Sequence, residues 1–415
     1  MRSHTGIAAS LVILVACSDS TKPVNPASIA SISLAPTAIY VVKGSAQSLT
    51  LTAADSVGAR VQAKAVWRTS APAVAAVSNS GVVTGVGYGT ATITAVVGTH
   101  SANAAVVITA APITKAYSVL DLGAGLSRVL GRRLSDSGDV LANTVLYRHG
   151  TVATSLTGCG SALSVNGLGH VLCKVNSYDS VSSYATWHDG ILTPLAAADS
   201  FKAQHFRAFA LSDSDEVPGL FYMPSFGNVN CPANGARCLS VWKNGVASFP
   251  GYDAGGNDIM RMNNRQQVVV EYAMWSENDP NSTIYDIPTG KTRNLPYGVV
   301  LNDNGWGAIA SPWIAHGSAN PFRSTALVMT PDALVPLGSG GATGINNSNV
   351  IVGTLDVGPF IWRGQSMSLL TNAATDPSWT ITRADEINNS GQILATADNS
   401  DGRKAHTVIL TPIQP

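Results

Sequence analysis

Short runs of apolar and β-branched residues, broken by glycine, asparagine, aspartate and serine, recur along the whole chain. In TATITAVV at 90–97 apolar and polar positions alternate, as they do in a strand with one buried face. No long stretch places apolar residues three to four positions apart among good helix formers, the pattern of an amphipathic helix. The pattern therefore predicts an all-β protein, and 415 residues are too many for one ordinary domain.

One phrase recurs through the second part of the chain. GINNSNVIVG at 344–353 returns as EINNSGQILA at 386–395, and five weaker copies precede them: RLSDSGDVLA (133–142), SVNGLGHVLC (164–173), ALSDSDEVPG (210–219), RMNNRQQVVV (261–270) and VLNDNGWGAI (300–309). Each copy reads as an apolar residue, a polar turn and an apolar run, which is typical of a tight β-hairpin. Side chains in or beside these turns can bond nearby backbone amides; they are Asp136, Asn166, Asp213, Asn263, Asn302, Asn346 and Asn388.

Most copies are followed by a second hairpin, such as FIWRGQSMSLL at 360–370, so one unit holds four short strands. Seven such units are typical of the blades of a β-propeller, and a ring of six or eight blades stays open as an alternative. INNSG and FIWRG resemble the HAF-type extracellular repeat, although His-Ala-Phe itself is absent. The expected fold of 117–415 is a seven-bladed β-propeller.

The last unit ends before its second hairpin is complete, because the chain stops at Pro415 soon after HTVIL at 406–410. YSVLDLG at 117–123 precedes the first copy and is similar to the ends of the other units. We therefore expect 117–123 to pair with the strand near 406–410, so that an N-terminal strand closes the ring.

Residues 29–111 contain several short strand-like runs separated by turn signals, the rhythm of a small β-sandwich. The run SAPAVAAVSNSGVVTGVGYGTATITA, together with Val66-Trp67, resembles the group 2 bacterial immunoglobulin-like domain. The resemblance implies that Trp67 is a core residue and that the domain is a spacer or adhesive module without catalytic residues.

The opening segment, residues 1–17, has one arginine followed by an apolar run too short to span a bilayer, which needs about 20 residues. Leu14-Val15-Ala16-Cys17 resembles the lipobox of bacterial lipoproteins, which implies cleavage before Cys17 and acylation of that residue. An ordinary cleaved signal is the alternative. Residues 18–28 would then be a polar tether, and a membrane is the expected partner of the lipid.

Four further cysteines, Cys159, Cys173, Cys231 and Cys238, would meet an oxidising compartment in an exported protein. Four cysteines allow three pairings, and proximity favours Cys159 with Cys173 and Cys231 with Cys238. Metal binding is the rival interpretation, but no Cys-x-x-Cys spacing or nearby histidine pair supports it.

Charge and motif content exclude several functions. Lys and Arg number 25 and Asp and Glu number 25, so no basic face is available for a nucleic acid backbone. The chain has no Gly-x-Ser-x-Gly elbow, no His-Glu-x-x-His and no Asp-x-Asp-x-Asp-Gly calcium loop. GVGYG at 85–89 leads into a strand and not into a phosphate-binding helix, so it predicts a turn. We expect no nucleic acid partner, no metal and no cofactor.

Long connections join the second and third strands of several units and also join successive units, and function often lies on such loops. In a propeller they share the face opposite the tight turns. Five aromatic residues in them are candidate ligand contacts, since an aromatic ring can stack on a sugar or anchor a peptide: Trp275, Trp313, Trp379 and, less favourably because Cys231–Cys238 would pin their loop, Tyr222 and Phe226. Core packing is the alternative for each.

These features favour a surface-anchored, non-catalytic binding or adhesion lipoprotein that faces the periplasm or the cell exterior. Its partner would be a glycan, a peptide or another surface protein. One alternative is a glycan hydrolase or lyase that uses two loop carboxylates, drawn from Asp179, Glu277, Asp279 and Asp376. A purely structural surface protein is the other alternative.

Overall fold

The computed structural model describes residues 29–124, 126, 131–149, 152–176, 183–195, 206–208, 210–222, 237–251, 258–271, 282–295, 298–309 and 325–413. These ranges contain strands and no α-helix, so the all-β prediction is confirmed. Within them no helix is long and apolar enough to cross a lipid bilayer.

The first ten strands form a sandwich-like domain. They are β1 (Ser31–Ala35), β2 (Ala38–Val42), β3 (Ala46–Ser48), β4 (Thr50–Ala54), β5 (Arg60–Val61), β6 (Val66–Thr69), β7 (Ala75–Val77), β8 (Val82–Gly85), β9 (Gly89–Val97) and β10 (His100–Thr109). They pair in three sheets with the orders β1-β4-β5, β2-β10-β9-β6 and β3-β8-β7. The alternating residues of β9 bury Ala91, Ile93 and Ala95 in one shared core.

Trp67 packs against this core, as predicted, but its side chain is half-buried. Gly81 makes room for it, because a Cβ on Gly81 would lie 2.7 Å from the Trp67 ring and 2.9 Å from the Leu49 carbonyl oxygen. Gly81 also has a φ of +80°, a conformation that glycine adopts at low cost.

The remaining strands follow in hairpins. They are β11 (Tyr117–Ala124), β12 (Val140–Ala142), β13 (Val145–Arg148), β14 (Val152–Ser155), β15 (Ser161–Val165), β16 (Val171–Lys174), β17 (Tyr184–His188), β18 (Ile191–Pro194), β19 (Phe206–Ala208), β20 (Val217–Tyr222), β21 (Arg237–Lys243), β22 (Val246–Ser248), β23 (Asp258–Met262), β24 (Gln267–Glu271), β25 (Ser282–Asp286), β26 (Lys291–Leu295), β27 (Val299–Leu301), β28 (Gly307–Ile309), β29 (Thr325–Met329), β30 (Leu334–Ile345), β31 (Ile351–Leu355), β32 (Gly358–Arg363), β33 (Ser366–Leu369), β34 (Trp379–Ile387), β35 (Ile393–Asn399) and β36 (His406–Pro412).

Strand pairing divides these elements into six sheets, and division of the seven-stranded sheet within β30 gives seven groups, one for each copy of the repeated phrase. We call them units 1 to 7: β12–β14, β15–β18, β19–β22, β23–β26, β27 to the first half of β30, the second half of β30 to β33, and β34–β36 with β11. In unit 1, Leu134 makes an isolated bridge to Val140 at the place of a first strand.

Units 5 and 6 share a strand, which the sequence pattern did not predict. The first half of β30 pairs with β29 as far as Ser339, and the second half pairs with β31 from Gly340 onward. Gly338 and Gly340 have φ values of +133° and +140°, which side-chain-bearing residues rarely adopt. The glycines therefore let one continuous strand turn from one sheet into the next.

The predicted pairing of 117–123 with the strand near 406–410 is confirmed. β11 lies antiparallel to β36, with Tyr117 opposite Pro412 and Ala124 opposite His406. The Tyr117 side chain is 1% exposed and belongs to the core of unit 7. Unit 7 is thus built from the two ends of the 117–413 segment.

An ionic cluster also holds β11 to β36. Asp121 Oδ1 lies 2.9 Å from His406 Nδ1, and Asp121 Oδ2 accepts a 2.9 Å hydrogen bond from Arg403. Burial raises the pKa of Asp121, but the Gly123 amide, His406 and Arg403 together hold it below its ordinary value.

We expect the Asp121 cluster to make stability depend on acid. A carboxyl whose folded-state pKa is depressed stabilises the fold above its unfolded pKa, about 3.9, and this stabilisation is lost as the pH falls through the folded value. Asp121→Asn should therefore lose less unfolding free energy than wild type between about pH 5 and pH 2, measured by urea unfolding. Asp332→Asn, in an exposed turn, is the control. If the unfolding free energy of Asp121→Asn falls with pH as steeply as that of the control, the predicted effect is refuted.

The immunoglobulin-like domain contacts unit 6 directly. Tyr40 and Val107 pack into the core shared by units 5 and 6. The linker between β10 and β11, residues 110–116, follows the edge of β33. Ala110 donates a 2.7 Å hydrogen bond to the Met367 carbonyl, and Ile113 donates a 3.0 Å bond to the Leu369 carbonyl. The linker covers an edge that would otherwise present unpaired backbone groups.

Candidate functional site

The candidate aromatic residues divide between described and undescribed parts of the chain. Trp275, Trp313 and Phe226 lie outside the described residues, and Tyr222 is described only as the last residue of β20. The bounds of the described strands nevertheless give the residues that separate the second strand of each unit from the third. In units 2 to 5 these are 175–183, 223–236, 272–281 and 310–324, whereas units 1, 6 and 7 have 143–144, 356–357 and 400–405.

Trp379 is a packing residue, which corrects its assignment as a candidate ligand contact. It begins β34 and shares a face with Ile381, and its side chain is only 7% exposed within the core of unit 7. The Arg403 guanidinium lies 4.9 Å from the ring centroid, a cation–π arrangement. The nearby carboxylate of Asp376 accepts hydrogen bonds from the Ser378 amide and hydroxyl, so it stabilises the turn that leads into β34.

One predicted disulfide is confirmed. Cys159 and Cys173 are bonded and lie 14 positions apart. Cys238 is also disulfide-bonded, but its predicted partner Cys231 lies outside the described residues, so that pairing stays a prediction. Within the described ranges no group of three His, Cys, Asp or Glu residues could hold a metal ion.

Removing the confirmed bridge should destabilise unit 2. The chain-entropy model assigns about 3 kcal/mol to closing a loop of this size. The variant with Cys159→Ala and Cys173→Ala should lose about this much unfolding free energy in urea, and reductant should affect it less than wild type. A loss of unfolding free energy below about 1 kcal/mol would mean that the bridge contributes little to the stability of the fold.

The repeated turns bond their own backbone through the five predicted asparagines, whereas in units 1 and 3 Ser135 and Ser212 accept these local bonds in place of Asp136 and Asp213. Asn346 Oδ1 accepts hydrogen bonds from the amides of Ser348 and Val350, at 3.1 and 3.0 Å. The same local pattern occurs at Asn166, Asn263 and Asn302, and the Asn388 side-chain oxygen accepts a 2.8 Å hydrogen bond from the Gln392 amide.

These asparagines also bond the next unit, which the sequence pattern did not predict. The Asn346 side-chain amide donates a 3.1 Å hydrogen bond to the Asn388 carbonyl, and Asn388 donates a 2.9 Å bond to the Ser135 carbonyl of unit 1. Equivalent bonds run from Asn166 to Ser212, from Asn263 to Asn302 and from Asn302 to Asn346. Each buried side chain thus stabilises one turn and joins it to its neighbour.

A second series of bonds connects the residues that follow Ser135, Asn166, Ser212, Asn263, Asn302, Asn346 and Asn388. We call them the turn circuit: Asp136, Gly167, Asp213, Asn264, Asp303, Asn347 and Asn389. Each backbone amide donates to the next member, and the final amide, that of Asn389, donates a 3.0 Å bond to Asp136 Oδ1. The hydrogen bonds therefore pass through all seven units and return to the first.

The three carboxylates of the turn circuit have hydrogen-bond or ion-pair partners close by. Asn264 donates to the carboxylates of Asp213 and Asp303, at 2.7 and 3.0 Å. Gly167 has no side chain that could separate Asp136 from Asp213. The Arg132 guanidinium lies 2.6 Å from the Asp136 carboxylate and 3.5 Å from the Asp213 carboxylate. Burial raises the pKa of Asp136, but Arg132 and Asn389 bring it below its ordinary value.

Beside the turn circuit lies a polar cavity of about 120 Å³. The residues two positions before the turn asparagines contribute to its wall, among them Ser164, Arg261, Val300, Gly344 and Glu386. With both charge signs and several amides on its wall, the cavity suits a polar solute or water. The Asn-Asn doublets at 263–264, 346–347 and 388–389 were the sequence signal for this region, because a purely local turn needs only the first asparagine.

Comparison with known proteins gives one family match. No curated protein matches the chain. Among solved structures, an auxiliary nutrient binding protein from Bacteroides ovatus has a TM-score of 0.35 at 11% identity and covers 95% of this chain and 100% of its own. Domains 5–6 of the S-layer protein SbsC have a TM-score of 0.20 at 14% identity, covering 75% of this chain and 94% of their own. Likenesses this low carry no argument about function.

The family match agrees with the sequence resemblance and with the sandwich formed by β1–β10. The matching family is described as the bacterial Ig-like domain, group 2, and it covers residues 28–108, close to the predicted bounds 29–111. Residues 28–108 therefore form a group 2 bacterial Ig-like domain.

Proposed function

We propose that this chain is an exported, non-catalytic binding protein whose residues 117–415 form a seven-bladed β-propeller beside the Ig-like domain. The turn circuit is the observation that carries the proposal. A series of hydrogen bonds that visits seven units and returns to the first fits a ring and does not fit an open row of sheets. The pairing of β11 with β36 supports the same arrangement, since it joins the first strand of the segment to the last.

The distribution of long connections favours binding. Four consecutive units carry them between their second and third strands, so they would lie together on the face opposite the turn circuit. A rigid scaffold with long neighbouring loops is a common way to build a recognition surface. Trp275, Trp313, Tyr222 and Phe226 belong to these connections or border them, and we propose them as contacts for a glycan, a peptide or a surface protein.

The disulfides and the Ig-like domain support an extracytoplasmic location, because disulfides persist in oxidising compartments. We further propose that Cys17 carries a lipid anchor. Cys17→Ser should release soluble protein and abolish metabolic labelling with fatty acid. Equal labelling of this variant and wild type would rule out the anchor.

A glycan and peptide array probed with the exported chain tests the binding function. We expect selective binding that Trp275→Ala or Trp313→Ala weakens by tenfold or more, about 1.4 kcal/mol, as for an aromatic anchor. Tyr88→Ala, at an exposed aromatic of the Ig-like domain, is the matched control. Binding to nothing on the array, or equal binding by all variants, would contradict the proposal, and cleavage of a bound glycan would favour the hydrolase or lyase instead.

A further inference from the structure

Two charged side chains in the wall of the polar cavity do not bond any member of the turn circuit. Arg261 on β23 and Glu386 on β34 both line the cavity. Each lies two positions before the turn asparagine of its unit, Asn263 or Asn388, so they occupy equivalent places in units 4 and 7. Along the turn circuit these units are three steps apart in one direction and four in the other. In the proposed ring, on which this inference rests, the two residues therefore come from opposite sides of the cavity.

Both groups keep hydrogen-bonding capacity. Within the described ranges the Arg261 guanidinium makes no hydrogen bond or ion pair. Burial raises the pKa of Glu271 and the positive charge of Arg261 lowers it, but the two side chains do not form an ion pair. Glu386 uses Oε2 to accept bonds from the amides of Arg133 and Leu134, at 2.9 and 3.1 Å. Its Oε1 accepts no hydrogen bond from the residues that the structure describes.

The other charges on the wall are already paired. Arg132 forms ion pairs with Asp136 and Asp213, and Asn264 donates hydrogen bonds to Asp213 and Asp303. A lone anion at Arg261 would leave Glu386 Oε1 without a donor, and a lone cation at Glu386 would leave the Arg261 guanidinium without an acceptor. Charges withdrawn from water are stabilised only by matched partners. A solute with one charge of each sign satisfies both walls.

The cavity is also large enough for such a solute. One water molecule needs about 10–15 Å³ of cavity volume by this measure, and the cavity offers about 120 Å³. We propose that it binds a small zwitterion with a carboxylate and a protonated amine, such as a free amino acid or a dipeptide, with the carboxylate on Arg261 and the ammonium on Glu386. This site lies beside the turn circuit, so it is separate from the proposed contacts on the long connections.

Calorimetric titration of the full chain tests the site, with glycine, 4-aminobutanoate and glycylglycine as probes. Acetate and methylammonium are matched probes that carry only one charge. We expect at least one zwitterion to bind at least tenfold more tightly than either single ion. A charge-assisted contact is worth about 1.5–3 kcal/mol, so Arg261→Gln and Glu386→Gln should each weaken binding roughly tenfold to a hundredfold.

Glu386→Gln keeps a side-chain oxygen for the amides of Arg133 and Leu134, so it removes charge with little change in shape. Arg293→Gln, on the outer strand of unit 4, is the control and should bind as wild type does. The comparison of zwitterions with single ions uses only the wild-type protein, so it remains a test even if a variant fails to fold. Absence of zwitterion binding, equal binding of acetate, or full binding by Arg261→Gln would overturn the proposal, whatever the array finds for the long connections.

Discussion

A chain that begins at residue 125 should aggregate or unfold far more readily than one that begins at residue 112. Both lack the Ig-like domain, so the comparison isolates 112–124. The shorter chain loses all of β11 and with it the buried ring of Tyr117. Removing a large buried aromatic side chain alone costs about 3–5 kcal/mol, a large share of the roughly 5–15 kcal/mol that stabilises a typical domain.

Loss of β11 has a second consequence, because β36 becomes an unpaired edge beside an opened core. We expect the 125 chain to elute as aggregates in size-exclusion chromatography and to lack a cooperative thermal transition. Tyr117→Ala in the full chain separates the two effects, since it removes the ring but keeps the strand. Equal melting temperatures and equal solubility of the 112 and 125 chains would show that β11 does not close the fold.

Asn346→Asp should destabilise the protein although it changes only one atom of the side chain. An aspartate still accepts the hydrogen bonds from Ser348 and Val350 that form the local turn. It cannot donate to the Asn388 carbonyl, and its charge faces that oxygen in a buried place. An unsatisfied buried acceptor costs about 1–3 kcal/mol, and more beside a charge, so we expect a loss of about 2–4 kcal/mol in urea unfolding.

Asn294→Asp is the matched control. Asn294 lies on the outer strand β26 and its Oδ1 accepts a bond from Thr283, which an aspartate also accepts. The control should lose less than about 0.5 kcal/mol, as for most surface changes. If both variants lose the same amount, the link between units 6 and 7 contributes nothing beyond the local turn.

The sequence predicted what depends on local pattern. Alternation of polar and apolar residues identified the strands, and the repeated phrase identified the hairpins of 117–413. The closing strand could be predicted because the sequence YSVLDLG is similar to the sequences at the ends of other units. Cys159 and Cys173 could be paired because their short separation and an oxidising compartment leave few alternatives.

What the sequence did not predict depends on contacts between units. The asparagine doublets look local, yet the second member of each bonds a residue some forty positions away. Trp379 lies next to a loop, but its place two positions before Ile381 puts it on the buried face of β34. The continuous β30 was hidden because LVPLGSGG contains turn-forming glycines that bend the strand without ending it.

A disulfide engineered between Ser118 and Thr411 tests the closed propeller most directly. The Ser118 hydroxyl donates a 3.4 Å bond to the Thr411 carbonyl, and the two residues are opposite each other in β11 and β36 although 293 positions apart. Closing a loop this long should stabilise the fold by about 6 kcal/mol in the chain-entropy model. If the propeller is closed, we expect Ser118→Cys with Thr411→Cys to oxidise to a monomeric, bridged protein that melts above its reduced form. A pair that stays reduced, or that forms bridges only between molecules, would contradict it.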